Sequence, residues 1–202
     1  DWLMDTRHFF TNQIPRDRVF HGMIAMGHRD PEVNAFVREK AQTVPTVILG
    51  TDSPGFQAPM VVPDNRQMAR LAAQHLYDLF HKDYGWFACD VSPSGLERHT
   101  AFRERLAELG MACTDLTGAR TPYSPAATLA QLKGCRKPIG VMCRDDHDAA
   151  VLLEICQEAR LLVPEEVAVI GVGDLESLCS FSPVSTTSIS PDMHALGYQD
   201  RK

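Results

Sequence analysis

"VPEEVAVIGVGD", residues 163–174, is the stretch whose reading decides the fold. The Val-Pro pair ends the helix before it, since proline lacks a backbone donor and pushes its predecessor out of the helical region. Two acids follow, then a run of buried-type aliphatics from Val167 to Val172 that reads as a strand. The run closes on Gly171-Val172-Gly173-Asp174, so the strand brings a carboxylate to its own carboxyl end.

Outward from this stretch, apolar runs alternate with amphipathic segments. "RVFHGMIAMG" (18–27), "TVILG" (46–50), "WFACD" (86–90), "ACTDL" (112–116) and "PIGVMC" (138–143) read as strands. Between them lie helical patterns. The first has Asp30 as cap, Pro31 at the first position, and Val33, Phe36, Val37 and Lys40 at helical spacing. The second is capped by Asp64 and presents Met68, Leu71, Ala72, His75, Leu76 and Leu79 as one apolar face. Then come "LERHTAFRERLAELG", closed by Gly110, "SPAATLAQLKG" and "DHDAAVLLEICQEARLL". Strand–helix alternation of this kind predicts an α/β fold, with parallel sheets flanked by helices and right-handed crossovers. Ligands of such sheets bind beyond the carboxyl ends of the strands. The informative residues are therefore Asp52 and Ser53, Ser92 to Arg98, Thr121 to Ser124, Arg144 to Asp146, and Gly173 with Asp174.

Composition narrows the function. The 202 residues are enough for one or two domains, and 44% hydrophobic with 23% charged is ordinary for a soluble globular chain. A net charge of -6 with no basic stretch is the wrong sign for a segment that itself grips nucleic-acid phosphates. Six cysteines without a CxxC pair read as reduced thiols in the cytoplasm. No apolar run approaches the ~20 residues of a membrane span, and no signal-peptide pattern opens the chain. The start on "DWLMDTR", without Met, reads as a fragment.

The strand-end set is rich in Asp and Arg, with Tyr123 and Trp86 as nearby aromatics. Planar carboxylates and guanidiniums can each take two adjacent hydroxyls, and an aromatic ring can cover a sugar's apolar face. That is a chemistry of binding. There is no Gly-x-Ser-x-Gly elbow, Walker loop or His-Glu-x-x-His, and Gly-x-Gly-Asp lacks the third glycine of the dinucleotide fingerprint. "DDHD" (145–148) reads as a helix start whose acids answer the N-terminal dipole rather than as a metal site. His75 reads as packed. Arg98 stands near the start of its helix, where a cation opposes the dipole. It is either a surface residue paired with Glu97 or Asp64, or a ligand clamp.

These segments carry a resemblance. The order "DN…A…HL", "RHTAFRERL", "CRDD", "VPEEVAVIGV" and "PD…GY", spread over residues 44–199, resembles the effector-binding domain of the lactose/galactose-repressor (LacI/GalR) family. The closest subgroup is the xylose-operon regulators, which join such a sensor to an AraC-type DNA-binding domain. The resemblance implies a two-lobed periplasmic-binding-protein-like fold with crossings near "MVVPDN" and "STTSISPD". Residues 1–62 and 189–202 would form a first lobe, incomplete in this fragment, and residues 63–188 the second. It implies a sugar or related effector between the lobes, with Arg98 as the family's effector arginine and a ring-stacking aromatic near Tyr123. Asp52, Arg144, Asp145 and Asp174 complete the ligand-binding set. Two departures stand out: Arg144 precedes Asp145 after the "PIGVMC" strand, and Gly173 occupies the usual effector-aspartate position with Asp174 one residue later. An added cation at Arg144 suits an acidic or phosphorylated effector. No cofactor, no catalytic activity and no membrane partner are implied, and DNA is bound by a module outside this segment, as a homodimer. Alternatives of the same architecture are a periplasmic sugar-binding protein of an ABC transporter and an α/β enzyme. A gel shift with the isolated 202 residues is expected to show no saturable, sequence-dependent retention.

Overall fold

The computed structural model describes residues 19, 21–26, 31–50, 55–117, 124–176, 184, 186–192 and 194. The chain divides into two compact units, residues 1–63 with 193–202, and residues 64–192. In the first, β1 (Met23–Met26), β2 (Thr46–Leu49) and β3 (Met60–Val61) form a parallel sheet in that order. Helix α1 (Pro31–Lys40) buries Phe36 and Val37 against Ile48, with Met23, Ala25, Phe56 and Ala58 around them. The strand expected over 18–27 is realised only at Met23–Met26 among the described residues, and Asp30, its expected helix cap, lies outside them.

The second unit holds α2 (Asn65–Asp78), β4 (Asp83–Phe87), α3 (Pro93–Glu108), β5 (Cys113–Asp115), α4 (Pro125–Gly134), β6 (Ile139–Cys143), α5 (Asp146–Glu158), β7 (Val167–Val172) and β8 (Thr187–Ile189). Its strands are all parallel, in the order β5-β4-β6-β7-β8. Because side chains alternate across a strand, Met142 and Ile170 join Phe102, Leu106 and Leu76 in one core layer. Val141, Cys143 and Val169 join Leu152, Cys156 and Leu132 in the other. Four helices start on side-chain caps: Asp64, Ser92, Ser124 and Asp145 accept from the backbone N–H groups of Gln67, Gly95, Ala127 and Asp148.

Three further elements differ from the sequence reading, each for a physical reason. The strand read as 86–90 is Asp83–Phe87. It leaves the ladder early because Thr117 Oγ1 takes the Ala88 N–H and Asp148 Oδ2 takes that of Cys89. Helix α3 begins at Pro93 rather than Leu96, since Ser92 caps it and Pro93 needs no donor there. The buried stripe of α2 is Asn65, Met68, Ala69, Ala72, Ala73 and Leu76, while Leu71, His75 and Leu79 are exposed. The stripe has rotated toward its alanines because α2 packs against α3 as well as the sheet, and small side chains allow that approach.

The connections fix where a ligand meets this sheet. The chain steps from β4 outward to β5, then returns over α4 to β6 on the opposite flank of β4. Crossovers therefore diverge between β4 and β6, and their carboxyl ends leave a crevice.

Two half-buried imidazoles tie this unit to pH. Burial pushes His81 and His99 below the ordinary histidine range; neither ring nitrogen of His81 has a hydrogen-bond partner among the described residues, and His99 stacks on Trp86 at 5.0 Å. A histidine whose folded pKa is lowered contributes stability that is present above about pH 6.5 and lost as pH falls below it. Urea unfolding at pH 7.5 and 5.5 should show wild type weakening on acidification, and His81→Leu weakening by less.

Candidate functional site

Three consecutive residues leave the end of β6 in three directions. Arg144, only 8% exposed, turns its side chain back among carboxylates. It forms an ion pair with Asp90, and its Nη2 donates to Asp148 Oδ1 at 3.2 Å. Its Nε lies 2.9 Å from Asp148 Oδ2 and 3.2 Å from Asp145 Oδ2, close enough for ion pairing though not aligned for a hydrogen bond. Gly95 makes the room, since a Cβ there would stand 3.1 Å from Arg144 Cδ. Burial and the like charge of Asp145 push the Asp148 carboxyl up, and Arg144 opposes that rise. The Cys89 thiol is pushed up to about 12 by burial and Asp148, and Cys143 rises well above its ordinary value by burial, so neither is a reactive thiolate.

Asp145 caps α5, accepting from the Asp148 N–H at 2.9 Å. Asp146 points the other way, toward β7 and β8. Its Oδ1 accepts from Ser188 Oγ at 2.6 Å and its Oδ2 from the Leu175 N–H at 2.8 Å. Ser188 Oγ in turn accepts from the Asp174 N–H at 3.0 Å. The two glycines of the Gly-Val-Gly-Asp corner serve this carboxylate. A Cβ on Gly171 would fall on Asp146 Oδ1, and one on Gly173, at φ +133, would stand 3.2 Å from Oδ2. The corner thus admits Asp146 to the strand end, while Asp174 itself is exposed at φ 54.

Arg98 lies in the second turn of α3, not at its start, so the helix-dipole conflict expected from a start at Leu96 is smaller than the sequence implied. Its partners also differ from the expected Glu97 or Asp64. Nε donates to Asn65 Oδ1 at 2.9 Å and Nη1 to the Arg144 carbonyl at 2.6 Å. Asn65, 1% exposed, passes its own Nδ2 to Glu97 Oε2 at 2.9 Å.

The structure therefore brings Arg98, Arg144 and Asp145 together beside the β4–β6 crevice and links Asp174 to them through Ser188 and Asp146. Tyr123 and Asp52 lie outside the described residues. Trp86 is a core residue under His99 rather than a surface for a sugar ring. Asn65, Asp90 and Ser188 were not singled out from sequence, and Asp148 was read only as a helix-start acid; only the paired glycines hinted that something approaches β7 closely. A depression of about 560 Å³ between α2 and α3 has Arg66, Arg70 and Arg105 along it, but these are paired with Glu104 and Glu108 on an open face. Among the described residues no group of His, Cys, Asp or Glu is arranged to hold a metal, and no helix is long and apolar enough to cross a membrane.

Residues 60–199 match the profile of the periplasmic binding protein-like domain. The chain belongs to that family. An HTH-type transcriptional regulator in the aml 5′ region of Streptomyces limosus is 27% identical over 190 residues, covering 87% of this chain and 51% of the relative. The xylose operon regulatory protein of Haemophilus influenzae is 23% identical over 152 residues, covering 71% of this chain and 39% of the relative. The chain thus spans about half or less of the length of these regulators. A LacI transcriptional regulator from a Rhodococcus species shares the fold at a TM-score of 0.72 and 22% identity, covering 89% of this chain and 67% of that one. The α/β architecture with parallel sheets flanked by helices is that of this domain family.

The Asp146–Gly171 contact is testable by a double-mutant cycle. Gly171→Ala should cost about 1–3 kcal/mol by overpacking. Combined with Asp146→Ala, which removes the obstructing carboxylate, the cost should fall short of the sum of the single variants in urea titrations followed by circular dichroism.

Proposed function

We propose that this chain is the effector-sensing domain of a transcriptional regulator, with a neutral sugar bound at the carboxyl edge of the larger sheet. The observation that carries the reading is Arg98, whose guanidinium is held by Asn65 and the Arg144 carbonyl beside the crevice between β4 and β6. Arg98 clamps adjacent hydroxyls, Asp145 and Asp174 accept from others, and Tyr123 and Asp52 complete the set. In this reading the chain has two lobes, residues 1–62 with 189–202 and residues 63–188, whose bounds lie within a few residues of those of the two compact units. The regulators to which the chain is similar support a sensor rather than an enzyme. Ligand binding shifts a two-state equilibrium only through different affinity for the two states, and that difference biases a DNA-binding module elsewhere in the protein. The regulator acts as a homodimer in the cytoplasm, without cofactor or membrane. Its subgroup is that of the xylose-operon regulators with an AraC-type module, a reading supported by one relative's name and by the quoted motifs.

The effector class follows from charge. Arg144 was expected to offer a cation to an acidic or phosphorylated ligand, but its guanidinium is taken up by Asp90, Asp145 and Asp148. With Asp146 also at this edge, carboxylates outnumber Arg98 and Arg144, which favours an uncharged polyol over an anion.

Calorimetric titration with D-xylose and other neutral pentoses and disaccharides tests the reading. For a sugar that binds wild type, Arg98→Ala should lose about 2–4 kcal/mol, roughly 30- to 1000-fold, through charge-assisted bonds in a desolvated site. Arg98→Lys should also bind poorly, because an ammonium cannot present a two-pronged donor. Since Arg98 also bonds to Asn65 and Arg144, the Ala variant should unfold about 1–3 kcal/mol more easily. Unchanged affinity in both variants would remove Arg98 from the site.

A further inference from the structure

Arg98 is aimed by its neighbours before any ligand arrives. Asn65 is the first residue of α2 and the second past the unit boundary at Pro63, and it is 1% exposed. Its amide is engaged at both ends, with Oδ1 accepting from Arg98 Nε and Nδ2 donating to Glu97 Oε2, each at 2.9 Å. Glu97 and Arg98 are consecutive on α3, so the helix presents an anion and a cation to the two ends of one amide. The reverse amide orientation would set NH₂ against a guanidinium and a carbonyl against a carboxylate, so electrostatics select the orientation seen. On the far side, Nη1 donates to the Arg144 carbonyl at 2.6 Å. Two nitrogens of one planar group, each held by a fixed acceptor, set the plane of the whole fork.

We propose that Asn65 is a positioning residue for effector binding: it sets the plane of Arg98 and ties that aim to the chain segment that enters the second unit. This rests on the assignment of Arg98 to the effector site. A hydrogen bond near 2.9 Å weakens once it stretches by several tenths of an ångström. A shift of residues 63–65 therefore either carries Arg98 with it or releases it. By reciprocity, an effector that holds Arg98 in place favours one course of that segment over another. The competing view is that Asn65 merely packs α2 onto α3, and an exchange of polarity separates the two. In the Asn65→Asp, Glu97→Gln double variant a carboxylate still accepts from Arg98 Nε and now accepts from the glutamine amide. Shape, charge balance and both hydrogen bonds are kept while the direction of the second is reversed.

The experiment follows the Nε–Hε resonance of Arg98 in the ¹⁵N-labelled 202-residue chain, assigned by its loss in Arg98→Lys. In wild type this proton should exchange slowly with water. Asn65→Ala should speed exchange about tenfold, the equivalent of one net charge-assisted bond. The double variant should return it to within about threefold of wild type, and Asn65→Asp alone, which sets two carboxylates together, should not. Should Asn65→Ala fail to fold, Glu97→Ala keeps Asn65 packed and removes only its orienting partner, and exchange should rise by a smaller factor. A parallel titration uses whichever of D-xylose, D-ribose or cellobiose binds wild type. Asn65→Ala should weaken that sugar about tenfold and the double variant should recover it. Unchanged Arg98 exchange in Asn65→Ala, fast exchange persisting in the double variant, or undiminished sugar affinity in Asn65→Ala would each overturn the proposal. If none of the sugars binds wild type, the effector reading fails by itself, and the exchange measurements still decide whether Asn65 aims Arg98.

Discussion

The carboxylate of Asp146 occupies the space where Gly171 lacks a side chain, and the carboxyl edge of the larger sheet is organised around that contact. From there it reaches the Leu175 amide and the Ser188 hydroxyl, so one buried side chain holds both the loop that leaves β7 and the strand β8 beside it. A larger residue at position 171 would push the carboxylate out and leave those donors without their acceptor. The same three-residue turn sends Arg144 back under α3 and sets Asp145 as the cap of α5. A two-strand, two-helix corner is thereby pinned from a single segment.

Arg144 shows why a charge in the right place need not be a ligand charge. Its desolvation is offset only because three carboxylates converge on it, and the cluster depends on every member. Removing Asp148 or Asp90 would leave a buried cation short of partners, whereas adding an anionic ligand would compete with carboxylates already in contact. The cluster acts on shape, and through its backbone carbonyl it helps fix Arg98. The polarity of the edge is then set by the remaining acids, which match hydroxyl donors better than phosphates.

The pairing of α2 with α3 governs the other half of the edge. Ala69, Ala72 and Ala73 let the two helices approach closely, and that approach places Asn65 within reach of Glu97 and Arg98. Bulkier residues along this stripe would hold the helices apart and break the chain of hydrogen bonds at its first link.

Local chemistry was legible from the sequence alone. Aliphatic runs such as Val167–Val172 and Ile139–Cys143 announced strands, and Asp64, Ser124 with Pro125, and Asp145 announced helix starts, because these signals act within a few residues. Their alternation was enough for a parallel α/β fold and for the expectation that Arg98, Arg144 and Asp145 gather near strand ends. The tertiary structure decided what each of these side chains does. Arg98 meets Asn65 across 33 residues and the Arg144 carbonyl across 46, and Asp146 meets Leu175 and Ser188 across 29 and 42. Such contacts depend on strand order and on how far each helix turns about its axis. Both are settled by packing between segments distant in the chain, to which hydrophobic period and capping patterns are blind.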